Sequence, residues 1–124
     1  MNPVAVSVEG FPSSAYSHAV KAGEVVYVAG QIGIDYQTGK ISEKFETQAR
    51  QAFENLSNVL GSAGSGMEKV VKTTVWLQNP ANFETLNNLY KEYFPNNAPA
   101  RSTPIVNLPR PDLQISIEAI ALVK

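Results

Sequence analysis

The chain has 124 residues, 44% of them hydrophobic and 17% charged, with a net charge of −1. That length and apolar content predict one globular domain, residues 1–124, with a core of its own. Near-neutrality excludes a general attraction to nucleic acid or anionic lipid, and the lack of cysteine excludes disulfides, a thiol nucleophile and thiolate metal sites.

His18 is the only histidine, which argues against a multi-histidine metal centre. No apolar run reaches the roughly 18 residues of a membrane helix. The N-terminus lacks the basic segment and apolar core of a secretory leader. A cytoplasmic location with no membrane or nucleic-acid partner is the expectation.

Val4, Val6 and Val8 alternate with small residues, a short strand pattern. Phe11 to Tyr16 contains Pro12, Ser13 and Ser14 and reads as loop. Glu24 to Ala29 is a strong strand, rich in β-branched and aromatic residues. Both of its faces are apolar, so both call for cover. Gly30 to Ile34 reads as its continuation, with glycines that permit a bulge. Asp35 to Gly39 is a turn before Lys40-Ile41.

A helix is predicted from about Ser42 or Lys44. Phe45, Ala49, Ala52, Phe53, Leu56, Val59, Leu60 and Ala63 recur every three or four residues, and glycines 61, 64 and 66 end the run. Val70 to Leu77 is the next strand. Asn79-Pro80 then sets a capping side chain before a proline, the signature of a second helix carrying Phe83, Leu86, Tyr90, Tyr93 and Phe94. Leu113 to Val123 is the last strand, with its odd-numbered residues on one apolar face.

The order β-β-α-β-α-β, with extra short strands at the ends allowed for, predicts an α+β two-layer fold with both helices on one face of a sheet. Two helices cannot cover both faces. The second face, half apolar along the last strand, is therefore expected to be buried against other copies of the chain.

Arg101 stands out chemically. It sits in Ala98-Pro99-Ala100-Arg101-Ser102-Thr103, with no carboxylate between Glu92 and Asp112. A guanidinium fork without a nearby acid is suited to the carboxylate of a small ligand. The other reading is a surface or subunit-bridging arginine. His18 reads as a packed residue or as a general base, and Trp76 as core or interface.

Ala15-Tyr16-Ser17-His18-Ala19-Val20, Val28-Ala29-Gly30-Gln31-Ile32, Gln48-Ala49-Arg50-Gln51-Ala52 with Asn55-Leu56, Val70 to Val75, Asn87 with Tyr90, and Pro99-Ala100-Arg101-Ser102 leading to Ile117-Glu118-Ala119-Ile120-Ala121 occur in this order across nearly the whole chain. Together they resemble the Rid/YjgF family of reactive-intermediate (enamine/imine) deaminases, also described as endoribonuclease L-PSP-like. The resemblance implies a chorismate-mutase-like α+β fold and a homotrimer whose sheets close into a barrel, with active sites in clefts between subunits. It implies hydrolysis of 2-aminoacrylate-type enamines and imines to 2-keto acids and ammonia, with no metal or organic cofactor. RNA cleavage, also associated with the family, lacks support here: there is no basic patch, histidine pair or aromatic stacking platform.

The resemblance also implies roles for individual residues. Arg101 matches the carboxylate-binding arginine. Tyr16 matches an aromatic hydroxyl near the substrate, with packing over a subunit edge as its other reading. Gly30 and Thr103 match positions whose backbones line the pocket, and Gly30 equally suits a strand bend. Family deaminases typically have Glu-Ile-Glu-Ala where this chain has Ser116-Ile117-Glu118-Ala119. Ser116 thus occupies the place of a water-handling glutamate. Glu118, two residues on and on the same strand face, either acts through a water or pairs across the trimer, the latter preferred. Ala29 replaces a frequent serine, and His18 a glutamine. A noncatalytic trimer that binds small carboxylates such as 2-keto acids is the alternative function.

Overall fold

The computed structural model describes residues 2–12 and 15–124. Ser13 and Ser14, within the expected Phe11–Tyr16 loop, lie outside the described residues. Among the described residues eight strands form: β1 (Val4–Val6), β2 (Ala19–Ala22), β3 (Val25–Ile32), β4 (Ile34–Asp35), β5 (Lys40–Ile41), β6 (Val70–Leu77), β7 (Ala100–Ser102) and β8 (Ile115–Leu122). The helices are α1 (Phe45–Ser62) and α2 (Phe83–Tyr93). Six strands make one sheet in the order β1-β2-β3-β8-β6-β7, antiparallel except for the parallel pair β6 and β7, and β4 pairs with β5 as a separate hairpin. The α+β arrangement of a sheet with two helices agrees with the expected fold class.

The apolar stripe of α1 does what its period requires. Phe53, Leu56, Val59 and Leu60 are fully buried against Val26, Ile115 and Ile117 of the central strands. Burying each of these side chains contributes about 1.5–3 kcal/mol. The helix ends where Gly64 adopts φ +76° and the Ser65 amide donates to the Leu60 carbonyl at 2.9 Å. A left-handed glycine with this back-bond closes the last turn.

β2 and β7 are strands the sequence reading did not place, and two of the elements it did place take a different form. The run from Gly30 to Ile34 is interrupted at Gly33, where the backbone passes so close to that of Gln48 in α1 that only a glycine fits. Ile34 starts the small hairpin instead. The second helix is preceded by a 3-10 turn, Pro80–Asn82, whose first amides are served by Asn79: its Oδ1 accepts from the Ala81 amide at 2.9 Å. The α-helix proper starts at Phe83.

Gln48 is fully buried on α1 and ties three segments together. Its Nε2 donates to the carbonyls of Ser42 (2.9 Å) and Asp112 (3.1 Å), and its Oε1 accepts from the Gln114 amide at 2.7 Å. These bonds set where β8 enters the sheet. Gln48→Ala removes the partner of three part-buried backbone groups, and is expected to cost about 2–3 kcal/mol. At this size that lowers Tm by roughly 10 °C, measurable by thermal melting followed by circular dichroism.

The second face of the sheet has no helix over it among the described residues. Val26 and Val28 of β3 are buried on the helix side, whereas Tyr27 between them is 49% exposed. Leu122 and Val71 are exposed as well. Along β8, residues 115, 117, 119 and 121 are buried, while Ser116, Glu118 and Ile120 are half-buried. No helix among the described residues is long and apolar enough to cross a membrane.

Candidate active site

The expected site residues fall into two groups on opposite faces of the sheet. The first lies on the uncovered face. β3 bulges between Val28 and Gln31, where its register against β8 shifts. The bulge brings Gly30 against Ser116: a Cβ on Gly30 would meet the Ser116 Oγ at 2.5 Å. These two small residues form part of the lining of a cleft of about 630 Å³, together with Tyr16, Ile32, Trp76 and Leu108. Tyr16 is 57% exposed at its rim.

Behind Tyr16 stands a packed aromatic group. The rings of Phe11, Tyr16 and Tyr36 each lie within 6 Å of the His18 ring, centroid to centroid. His18 is 5% exposed. Its Nε2 lies 2.8 Å from the Pro12 carbonyl, an acceptor, so Nε2 carries the proton, and Nδ1 accepts from Gln31 Nε2 at 3.2 Å. Both ring nitrogens are engaged, which is the packed reading of His18 rather than the general-base one.

The second group lies on the helix side of the sheet edge. Arg101 sits on β7, in register with Thr73 of β6, and both face α2. The Arg101 Nη2 donates to Asn87 Oδ1 at 2.7 Å. The guanidinium carbon lies 4.7 Å from the Tyr90 ring centroid and 5.6 Å from that of Phe83. Tyr90 is itself fixed, its hydroxyl 2.7 Å from Thr73 Oγ1. Burial pushes the Tyr90 phenol above its ordinary pKa, against smaller opposing effects of the Thr73 bond and the Arg101 charge, so the ring faces the cation as a neutral phenol. Cation–π contact and one hydrogen bond orient the fork. No carboxylate pairs with it among the described residues. Arg101 is half-buried, which leaves its other donors within reach of a ligand.

Thr103, half-buried, follows β7 directly. The chain beyond it is clamped to the end of β6: the Leu77 amide donates to the Pro104 carbonyl and the Val106 amide to the Leu77 carbonyl, both at 3.0 Å. It then forms the Val106–Pro109 wall of the cleft. One segment thus connects the two groups without joining them. Arg101 and Ser116 are separated by two strand spacings across the sheet and three residues along β6, roughly 14 Å between Cα atoms, with side chains on opposite faces.

Glu118 shares a face with Ser116 but lines a different hollow of about 300 Å³, with Tyr27, Lys72, Thr74 and Ile120. Lys72 does not reach it: its Nζ donates to the Thr73 carbonyl (3.0 Å) and to Thr74 Oγ1 (3.2 Å). Glu118 has no ion-pair partner among the described residues.

Two residues gain a place that sequence reasoning had not assigned. Asn87, noted only as part of the resemblance, holds Arg101. Phe83, Asn87 and Tyr90 are spaced i, i+4, i+7, one face of α2, and an amide inside an aromatic stripe was the available signal. Trp76, read as core or interface, lines the cleft.

Comparison with known proteins follows the same lines. Residues 9–123 match the family model described as Endoribonuclease L-PSP. The chain is 40% identical over 119 residues to Reactive Intermediate Deaminase A, chloroplastic, of Arabidopsis thaliana, covering 94% of this chain and 64% of that protein, so it spans less than two thirds of that relative's length. It is 40% identical over 109 residues to the human 2-iminobutanoate/2-iminopropanoate deaminase, covering 86% of this chain and 79% of that one. Among solved structures, E. coli TdcF with bound serine superposes with a TM-score of 0.90 at 31% identity, over 98% of this chain and 99% of that one.

Proposed function

The chain belongs to the endoribonuclease L-PSP family, in which the Rid proteins fall, and from that premise we propose that it hydrolyses 2-imino acids to 2-keto acids and ammonia in clefts between copies of itself. The observation that carries this reading is Arg101, an oriented guanidinium without an acid. A three-carbon imino acid is far too short to reach from Arg101 to Ser116 within one chain. Stacking a second copy on the uncovered sheet face lets one protomer supply Tyr16, Gly30 and Ser116 and its neighbour supply Arg101, Asn87 and Thr103. Three copies closing on one another, the homotrimer, bury all three such faces. The named activity of the human and plant relatives and the serine held by TdcF support a small amino-acid-like ligand.

In this site the Arg101 fork takes the substrate carboxylate in two charge-assisted bonds. The backbones of Gly30 and Thr103 line the pocket beside it. Tyr16 and Ser116 hold a water by their hydroxyls. The enamine tautomerises to the imine, water adds to its C=N carbon, and the resulting carbinolamine expels ammonia as the carbonyl forms. Uncatalysed hydrolysis already proceeds, so fixing water and substrate side by side is enough to accelerate it. Ser116 is a poor base near neutral pH, so the acceleration comes from placement. Glu118, in its separate hollow, is assigned to pairing across the trimer rather than to the chemistry.

The absence of a carboxylate beside the water favours a second reading, a noncatalytic trimer that binds 2-keto acids through Arg101. One assay separates the two. A serine or threonine dehydratase supplies 2-aminoacrylate, and pyruvate is followed with and without the protein. Acceleration is expected. If pyruvate binds but its formation is not accelerated, the protein is a carboxylate binder. Ser116→Glu restores a base at the water and is expected to raise the deamination rate about tenfold, below the usual hundredfold or more of general base catalysis because the position is not otherwise tuned. An unchanged rate removes the role assigned to Ser116.

A further inference from the structure

We infer that His18 and Gln31 are positioning residues: a directed run of hydrogen bonds from the β3 bulge fixes the His18 ring, and the ring fixes Tyr16. The inference deepens the reading above and rests on it in one respect, the role given there to the Tyr16 hydroxyl.

The run starts at the bulge. Gln31 is 1% exposed. Its amide nitrogen donates both hydrogens, to the Ala29 carbonyl and to His18 Nδ1, each at 3.2 Å. The Ala29 carbonyl decides which way the amide faces. Turned over, Gln31 would set its Oε1 against that carbonyl, two acceptors with no hydrogen between them. The orientation holds although it leaves Oε1 buried with no hydrogen-bond partner among the described residues, a state that buried polar groups rarely accept. A Gln31 that donates to Nδ1 keeps the ring hydrogen on Nε2. That nitrogen then donates to the Pro12 carbonyl at 2.8 Å. Each bond sets the direction of the next, and no proton needs to move along them.

The two ends of the run meet the two halves of the proposed water site. Ala29 directly precedes Gly30, which lies against Ser116, and its amide donates to the His18 carbonyl at 2.9 Å. At the other end, the His18 ring meets the Tyr16 ring edge-on, 5.8 Å between centroids. Phe11 and Tyr36 hold the ring from other sides, at 5.3 and 5.9 Å. Burial, and after it the nearby Tyr16, raise the Tyr36 phenol above its ordinary pKa, so Tyr36 packs as a neutral ring. Tyr16 is more than half exposed, and an exposed aromatic is held by what stands behind it. His18 stands there with both nitrogens tied. Arg101 is held separately, from β7 and α2. Loosening His18 therefore disturbs the water and not the carboxylate.

The test compares three substitutions in the dehydratase assay, with pyruvate affinity measured by calorimetry and folding by thermal melting. His18→Leu is expected to slow deamination about tenfold through misplacement of the water, with pyruvate affinity within about twofold of wild type because the Arg101 side is untouched. His18→Gln keeps a donor where Nε2 stands and is expected to recover most of the rate. His18→Asn keeps only an acceptor where Nδ1 stands and is expected to stay slow. His18 is the only histidine, so isotopically labelled histidine gives a single pair of ring signals in nitrogen NMR. They are expected to show the Nε2–H form in wild type and a shift toward Nδ1–H in Gln31→Met, which keeps the volume and removes the donor.

An Nδ1–H ring in wild type, an unchanged ring in Gln31→Met, His18→Asn as fast as His18→Gln, or pyruvate binding lost in step with the rate each overturns the inference and leaves the hydrolase reading standing. If His18→Leu does not fold, the Gln and Asn pair and the ring signals decide. If wild type accelerates no imine, the hydrolase reading falls and NMR decides alone. The Nε2–H form, with a Tyr16 ring that becomes mobile in His18→Asn but not in His18→Gln, sustains the inference, and any other result ends it.

Discussion

Arg101→Ala is expected to lower kcat/KM for 2-imino acids about a hundredfold, the loss of two charge-assisted hydrogen bonds to the carboxylate. Arg101→Lys is expected to recover little of it, because a lysine keeps the charge but has no planar fork to match a carboxylate and no flat cation to lie on the Tyr90 ring. Fold stability is expected to change little in either variant, since the native guanidinium donates one hydrogen bond, to Asn87, and pairs with no acid among the described residues. The stronger form of the test mixes chains. Arg101→Ala protomers retain Tyr16, and Tyr16→Ala protomers retain Arg101. If each cleft draws on two copies, refolding an equal mixture of the two inactive variants regenerates about a quarter of the wild-type clefts, by random assembly of a closed ring. A site complete within one chain regenerates none, and inactivity of the mixture would refute the shared cleft.

Ile120→Glu is expected to abolish assembly and activity together. Ile120 lies on the uncovered face, paired with Tyr27 on one side and Lys72 on the other. In a single chain it is half-buried and borders open solvent, so a glutamate there is tolerated by the fold. In an assembled trimer the same carboxylate is enclosed next to Glu118, and Lys72, its basic cross-strand neighbour, already donates to Thr73 and Thr74, so burying the added charge costs several kcal/mol. Light scattering should then report monomers with wild-type circular dichroism, and deamination of 2-aminoacrylate should fall to the uncatalysed rate. A wild-type protein that is monomeric at micromolar concentration would remove the premise of this prediction and of the shared cleft alike.

The elements with the clearest periodicity were legible from residues alone. Val70 to Leu77 is a strand over that same range, and the α1 stripe from Phe45 to Leu60 is buried as its spacing requires. Two strands were not legible. β2, Ala-Val-Lys-Ala, is short and half alanine, which has little intrinsic strand preference. β7 is three residues between Pro99 and Pro104, with no alternation to read. Both exist because a neighbour offers an edge: β3 to the first and β6 to the second. Such pairing is a nonlocal contact and leaves no local signature.

The candidate site divides in the same way. Arg101 was visible as an arginine without an acid, and Ser116 as a departure from the family run. Their placement on opposite sheet faces was not visible. It follows from the parallel register of β7 on β6, which turns Arg101 toward Asn87 and Tyr90, and from the β3 bulge, which sets Gly30 against Ser116 on the other face.

What the sequence by itself determined is the chemistry available: one guanidinium without a neighbouring acid, the tyrosine hydroxyl usual in the family, a serine where the family has a carboxylate, no thiol, and apolar stripes that demand two helices on one side of a sheet. Those properties are local, fixed by residue type and spacing. Tertiary structure decided which of these groups can meet. A one-residue change in strand register moves a side chain to the opposite face of a sheet, and register is set by bulges, edges and the close approach of α1 at Gly33, all contacts between segments far apart in the chain.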